Sequence, residues 1–287
     1  MNRRNICRLF LAMAIPVFLF GCGGDGGSGS SSSTGTVSMD ITDTKPMLPL
    51  DVEQVIIRFD AVSVHKAGGG WLVLPLAEEA QTPYEIDLLQ FTDGNTTQFV
   101  PPTQLEPGHY TQIRIEVIDA EMIPLGGGKP IPLIISSNDV KTDKQFDFDV
   151  TGGGAVAVVI DFDLSQSIVA TGDGTGDVTY KLKPVLHLNE AQEAATIRGK
   201  ISEVSFGGLG EARVTVTWDK EADGILNPDE DEVYTTVVTE EESDPTDFSI
   251  FWLVPEKGYH VDIKVDGTVI YEEFVPSSEL SVGAIFC

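Results

Sequence analysis

Hydrophobic and polar residues alternate with a period of two along most of this chain, which is the period of a strand with one buried face. Val52 to Val64 (VEQVIIRFDAVSV) is rich in β-branched residues, and three glycines then lead into Trp71 to Leu74 (WLVL). Tyr110 to Val117 (YTQIRIEV) sets Tyr, Gln, Arg and Glu on one face against Thr, Ile, Ile and Val on the other. Ala155 to Phe162 (AVAVVIDF) is almost continuously apolar, which predicts a strand in the middle of a sheet. Gly, Pro, Asn and Asp punctuate these segments as turns. Only Glu190 to Ala195 (EAQEAA) reads as helical.

Beyond that short stretch the alternation restarts at Thr196 (TIRGKISEV). It continues through Ala212 to Trp218, Val233 to Thr239, Phe248 to Leu253, Tyr259 to Val265 and Thr268 to Phe274. Six or seven strands in about ninety residues fit one small Greek-key sandwich. The expected fold class is all-β, with two antiparallel β-sandwich or barrel-like domains at 36–190 and 196–287 and a linker at 191–195.

The N-terminal segment follows a different pattern. Arg3, Arg4 and Arg8 precede an apolar run of twelve residues, Leu9 to Phe20. That is the length of a signal-peptide core and too short for a resident bilayer span. The run ends in Leu19-Phe20-Gly21-Cys22, which resembles the lipobox of bacterial lipoproteins. The resemblance implies a signal peptide at 1–21 and lipidation of Cys22. Residues 22–35 then form the lipidated start and a Gly/Ser tether, too poor in apolar residues to fold and about 20 Å in r.m.s. reach. The expected location is the bacterial cell envelope, with the outer membrane or cell surface favoured, facing periplasm or exterior. Of the three cysteines, Cys7 leaves with the signal peptide and Cys22 is acylated. Only Cys287 remains, which excludes a disulfide framework.

Charge narrows the partners. With 45 acidic and 18 basic residues the net charge is −27, which repels nucleic acid and suits divalent cations. Residues 219–230 (DKEADGILNPDE) have the spacing of a calcium loop. Asp219, Glu221 and Asp223 stand at positions 1, 3 and 5, Gly224 at the sharp turn, and Ile225 offers a backbone carbonyl at 7. Leu226 is placed to plug the core, Asn227 stands at 9, and Glu230 closes the set at 12. Strand-like segments flank it on both sides, so the prediction is a calcium staple between two strands and not an EF-hand. A solvated acidic hairpin loop is the alternative.

Other candidate chemistry is sparser. Asp161 and Asp163 share one face of a strand and form either a carboxylate pair, hydrolytic or cation-binding, or the wet end of that strand. Thr171 to Asp177 (TGDGTGD) reads as a turn. His65, His109, His187 and His260 lie on separate predicted strands without zinc spacing. No G-x-S-x-G elbow is present. Trp71, Trp218 and Trp252 are candidates for a sugar-stacking platform or for ordinary packing.

From Gly35 to about Glu190 the chain resembles the family called domain of unknown function 4382. The matching pieces are GTVSMDITD (35–43), VIIRFDAVSVH (55–65), Trp71, YEIDLL (84–89), LEPGHYTQIRI (105–115), Asp161-Phe-Asp163 with Ser167, and YKLKPV (180–185). The resemblance implies an exported, often lipid-anchored β domain. Thr196 onward looks like the transthyretin-like and carboxypeptidase-regulatory-like sandwiches, on Ala212-Arg-Val-Thr-Val216 and on Phe248 to Val261. Those are spacers or binding modules, some of which take carbohydrate. The expected function is therefore a lipid-anchored, non-catalytic binding or display protein of the envelope, calcium-stabilised, whose partner is a glycan or an envelope or extracellular protein. A carbohydrate-binding module and a hydrolase using Asp161 and Asp163 are the alternatives.

Overall fold

The computed structural model describes residues 33–77, 83–135, 139–141, 146–172, 178–201, 211–221, 223–227, 232–239, 246–280 and 285–286. Strands β1 to β7 are Gly35–Thr42, Val52–Lys66, Trp71–Leu74, Tyr84–Asp87, Thr97–Leu105, Gly108–Pro124 and Ile131–Pro132. Strands β8 to β14 are Ile134–Ile135, Asp139–Lys141, Phe148–Val150, Ala155–Phe162, Ile168–Gly172, Val178–Leu182 and Leu186–Glu190. One helical turn, α1 (Leu164–Ser167), sits between β11 and β12. The second half adds β15 to β21: Ala195–Ile201, Glu211–Asp219, Glu232–Thr239, Thr246–Leu253, Gly258–Val265, Thr268–Val275 and Ile285–Phe286. The protein is all-β.

Two sheets face each other in the first half. One has the order β14-β11-β1-β5, and the other runs β10-β6-β2-β3 with β4 on β2 and β7 and β9 on β6. Their inner rows, such as Val37, Met39 and Ile41 of β1 and Val55, Ile57 and Phe59 of β2, belong to one buried cluster. Phe59 links the layers, its ring edge-on to Phe99 at 4.9 Å and to Phe162 at 6.4 Å. As its apolar run predicts, β11 is an interior strand. Its partner β1, however, runs parallel to it, Thr42 opposite Asp161, so both strands finish at the same end of the sheet.

Two local readings are corrected. Glu190 to Ala195 is no helix: β14 ends at Glu190, a turn closed by Glu193 N–H to the Glu190 carbonyl (2.9 Å) follows, and β15 starts at Ala195. Strict alternation also puts Tyr110 on the polar face of its strand, yet it is fully buried. The register slips where His65 opposite Gln112 gives way to Lys66 opposite Tyr110, and this irregularity turns the ring inward, flat against Phe148 at 5.2 Å.

The second half has its own buried cluster, shared by the sheets β18-β15-β21 and β17-β16-β19-β20. A bulge interrupts β18. Ile197 pairs with Ile250 and Ala195 with Leu253, so Phe251 and Trp252 together oppose Thr196. Trp252 takes φ +61 there, a conformation a bulky side chain adopts only where its surroundings enforce it. The bulge serves contact between the halves. Phe251 lies on Gly94, whose φ is +81 and where a Cβ would sit 2.8 Å from the ring. The Asn189 amide donates to the Leu253 carbonyl at 2.8 Å and, more weakly, to that of Trp252 at 3.4 Å.

Truncating the linking ring, Phe59→Ala, leaves a cavity between both layers. It should lower the unfolding free energy of the first half by about 3–5 kcal/mol, read as a shift of the urea midpoint.

Candidate functional site

The parallel pairing of β1 and β11 gathers acidic side chains in a dry place. Asp43, just past β1, Asp161 in β11 and Asp163, just past it, are each 2 % exposed, and His187 of β14 is 4 % exposed. Asp161 lies opposite His187 across the β11–β14 ladder. The Asp161 carboxylate accepts from the Thr44 backbone N–H at 3.1 Å and from its hydroxyl at 3.0 Å. Asp163 caps α1, taking the Gln166 N–H at 3.0 Å and its side-chain amide at 2.6 Å, as an Asx cap does. His187 Nε2 stands 3.5 Å from Asp163 Oδ2. Asp43 Oδ1 accepts from Leu164 N–H at 3.1 Å, and its Oδ2 has no hydrogen-bond partner among the described residues.

This cluster also meets the second half. The Gln166 amide reaches the Val233 carbonyl, and the His187 ring lies 4.0 Å from that of Tyr234. Both partners open β17. Nearby, the Arg213 guanidinium of β16 contacts Met47 Sδ at 3.7 Å.

Asp161 and Asp163 are therefore not the wet end of a strand. Burial holds the Asp43 carboxyl well above its ordinary range, and the charges of Asp161 and Asp163 add to that. Burial pushes Asp161 up to about 6, opposed by His187 and reinforced by Asp163. A carboxyl with a raised folded-state pKa stabilises the fold while protonated and loses that contribution as pH rises to its folded value. For Asp161 the window runs from about pH 4 to about 6, and the raised Asp43 carboxyl acts in the same direction. Asp161→Asn should flatten the fall in unfolding free energy across this window, with a gain on the order of 3 kcal/mol at pH 7 over wild type. Urea midpoints measured from pH 4 to 7 in both proteins check this.

The acidic loop joins β16 to β17, antiparallel strands with Trp218 opposite Glu232, so its flanks are strands as expected. Gly224 takes φ +76, the left-handed turn foreseen at position 6. Asp219, 1 % exposed, accepts the Gly224 N–H on Oδ2 at 2.7 Å, while Oδ1 has no hydrogen-bond partner among the described residues. The Asp223 carboxylate caps the Ile225 N–H at 2.8 Å, and the Asn227 amide reaches the Ile225 carbonyl at 3.5 Å. Glu221, Asp223 and Ile225 face solvent. Leu226 is 42 % exposed and does not plug the core. Glu230, like Cys22, Cys287 and residues 173–177, lies outside the described residues. Among those described, no three His, Cys, Asp or Glu side chains converge as a metal site.

Two groups missed by sequence reasoning matter here, Asp43 and the histidines. His260 of β19 lies opposite Thr217 and puts Nε2 3.8 Å from Asp219 Oδ2. Spacing rules cannot find such pairs, because the register joins residues tens of positions apart. The three tryptophans sit on β3, β16 and β18. The Trp71 ring is covered by Arg114 at 4.0 Å, and Trp218 is flanked by Lys220 and Lys257 at 5.5 and 5.4 Å.

No curated protein matches the chain. A family model, domain of unknown function (DUF4382), matches residues 34–184. The match opens one residue before β1, ends inside the β13–β14 connection, and takes in Asp43, Asp161 and Asp163. It spans more than half of the 287 residues, and the chain belongs to the DUF4382 family.

Proposed function

We propose that this is a lipid-anchored protein of the bacterial envelope that presents two β units for binding, without chemistry of its own. The observation that carries the reading is the order of segments: a basic and apolar start, Leu19-Phe20-Gly21-Cys22, a Gly/Ser run, and then β1 at Gly35. A tether that ends where the first strand begins suits a domain held off a surface. More than one acyl chain makes such an anchor stable.

The second unit acts as the binding module, in the manner of the transthyretin-like sandwiches it resembles, with a glycan or a neighbouring envelope protein as partner. Its acidic loop is a divalent-cation staple, and calcium is the ion its oxygen atoms suit. The free Asp219 Oδ1 and the turn at Gly224 support this reading. A hydrolase reading has less support, because Asp161 and Asp163 are buried and engaged by Thr44 and Gln166.

Two measurements test the proposal. Cys22→Ser should move the protein from the membrane fraction to the soluble fraction of expressing cells, and continued sedimentation with membranes counts against the anchor. Calcium at a hundred times its dissociation constant should add about 2.7 kcal/mol of stability, abolished by chelation and by the Asp219→Ala, Asp223→Ala double change. An unchanged melting profile removes calcium from the proposal.

A further inference from the structure

We propose that Asp219 and His260 are the inner ligands of a transition-metal site at the root of the acidic loop, suited to zinc-class divalent ions that accept imidazole nitrogen. The inference rests on reading the loop as a cation site and changes the class of ion assigned to it.

Two buried polar atoms here have no hydrogen-bond partner among the described residues: Asp219 Oδ1, on a side chain with no exposed surface, and His260 Nε2, on one 10 % exposed. An orphaned buried acceptor is costly, and native proteins ordinarily satisfy it with a protein group, a water or an ion. The two side chains do not satisfy each other. Their closest approach, His260 Nε2 to Asp219 Oδ2, is 3.8 Å, too long for a hydrogen bond. That distance runs to the oxygen that also accepts Gly224 N–H; two bonds of about 2.0–2.2 Å can span it, with the orphaned Oδ1 as the second donor of the same carboxylate.

The sheet holds both donors rigidly. Asp219 is the last residue of β16 and His260 the third of β19, and the ladder pairs Thr217 with His260 and Asp219 with Gly258. Asp219 and Thr217 thus fall on one face of β16, diagonal and opposite to His260. Gly224 N–H fixes the second Asp219 oxygen and leaves Oδ1 available, and the Phe274 ring packs against His260 at 5.0 Å. The Trp218 ring, which alternates to the other face of the strand, has Lys220 and Lys257 against it at 5.5 and 5.4 Å.

Glu221 and Asp223 lie exposed in the loop and do not converge on the pair, so water completes the shell. Calcium takes oxygen donors and leaves the imidazole unused. A borderline ion such as zinc takes both.

The test uses the full-length chain stripped with a chelator. Melting is followed with zinc alone and with calcium alone, in wild type and in His260→Gln. Cobalt absorption is compared between wild type and His260→Gln, so that a change in the band reports loss of the imidazole. Zinc should raise the Tm of wild type but not of His260→Gln, and cobalt should give a visible ligand-field band that added zinc removes. If zinc stabilises the variant equally, or if cobalt gives no such band, the inference is overturned. If calcium alone raises Tm, and equally in both proteins, the inference fails and the calcium reading stands. If neither ion shifts Tm, both fall.

Discussion

The parallel pairing of β1 with β11 is the contact on which the polar interior depends. Parallel neighbours need a crossover between them, and here the whole seven-stranded sheet and β5 lie in that crossover. Because the two strands point the same way, their ends bring Asp43 and Asp161 together with Asp163. An antiparallel pairing would have put those residues at opposite ends. Like charges in a dry place oppose folding unless donors meet them. Thr44, Leu164 and Gln166 supply those donors from short segments just beyond the strands.

That cluster extends into the second half. Gln166 and His187 reach Val233 and Tyr234, the residues with which the chain settles into β17 after leaving the acidic loop. β17 itself is held by its antiparallel ladder with β16, so that ladder sets how Val233 and Tyr234 meet the first half. The bulge at Phe251 and Trp252 adds a second, apolar fastening on Gly94.

Strands were readable because alternation records which residues face inward. Trp71–Leu74 and Ala155–Phe162 match their expected limits, and the five strands expected from Ala212 onward differ by two residues at most at either end. Alternation records nothing about partners. It therefore missed the parallel ladder, the slip that buries Tyr110, and the pairing of His187 with Asp161 and of His260 with Thr217. Asp161 and Asp163 looked wet because polar residues at a strand end usually are, and only the arrival of β1 and β14 beside them makes that end dry. The acidic loop was legible at Gly224, whose backbone requirement is local, and illegible at Leu226, whose environment is not.

The position of β1 has a mechanical consequence. The first strand is not at an edge: β11 and β5 flank it on either side. A pull on the chain ahead of Gly35, in line with that strand, loads both ladders in shear, so many hydrogen bonds share the force. An edge strand pulled sideways would peel one bond at a time. Forced unfolding is limited by the unfolding rate and not by equilibrium stability, and a strand clamped on both sides raises that barrier at the point where such a load enters the fold.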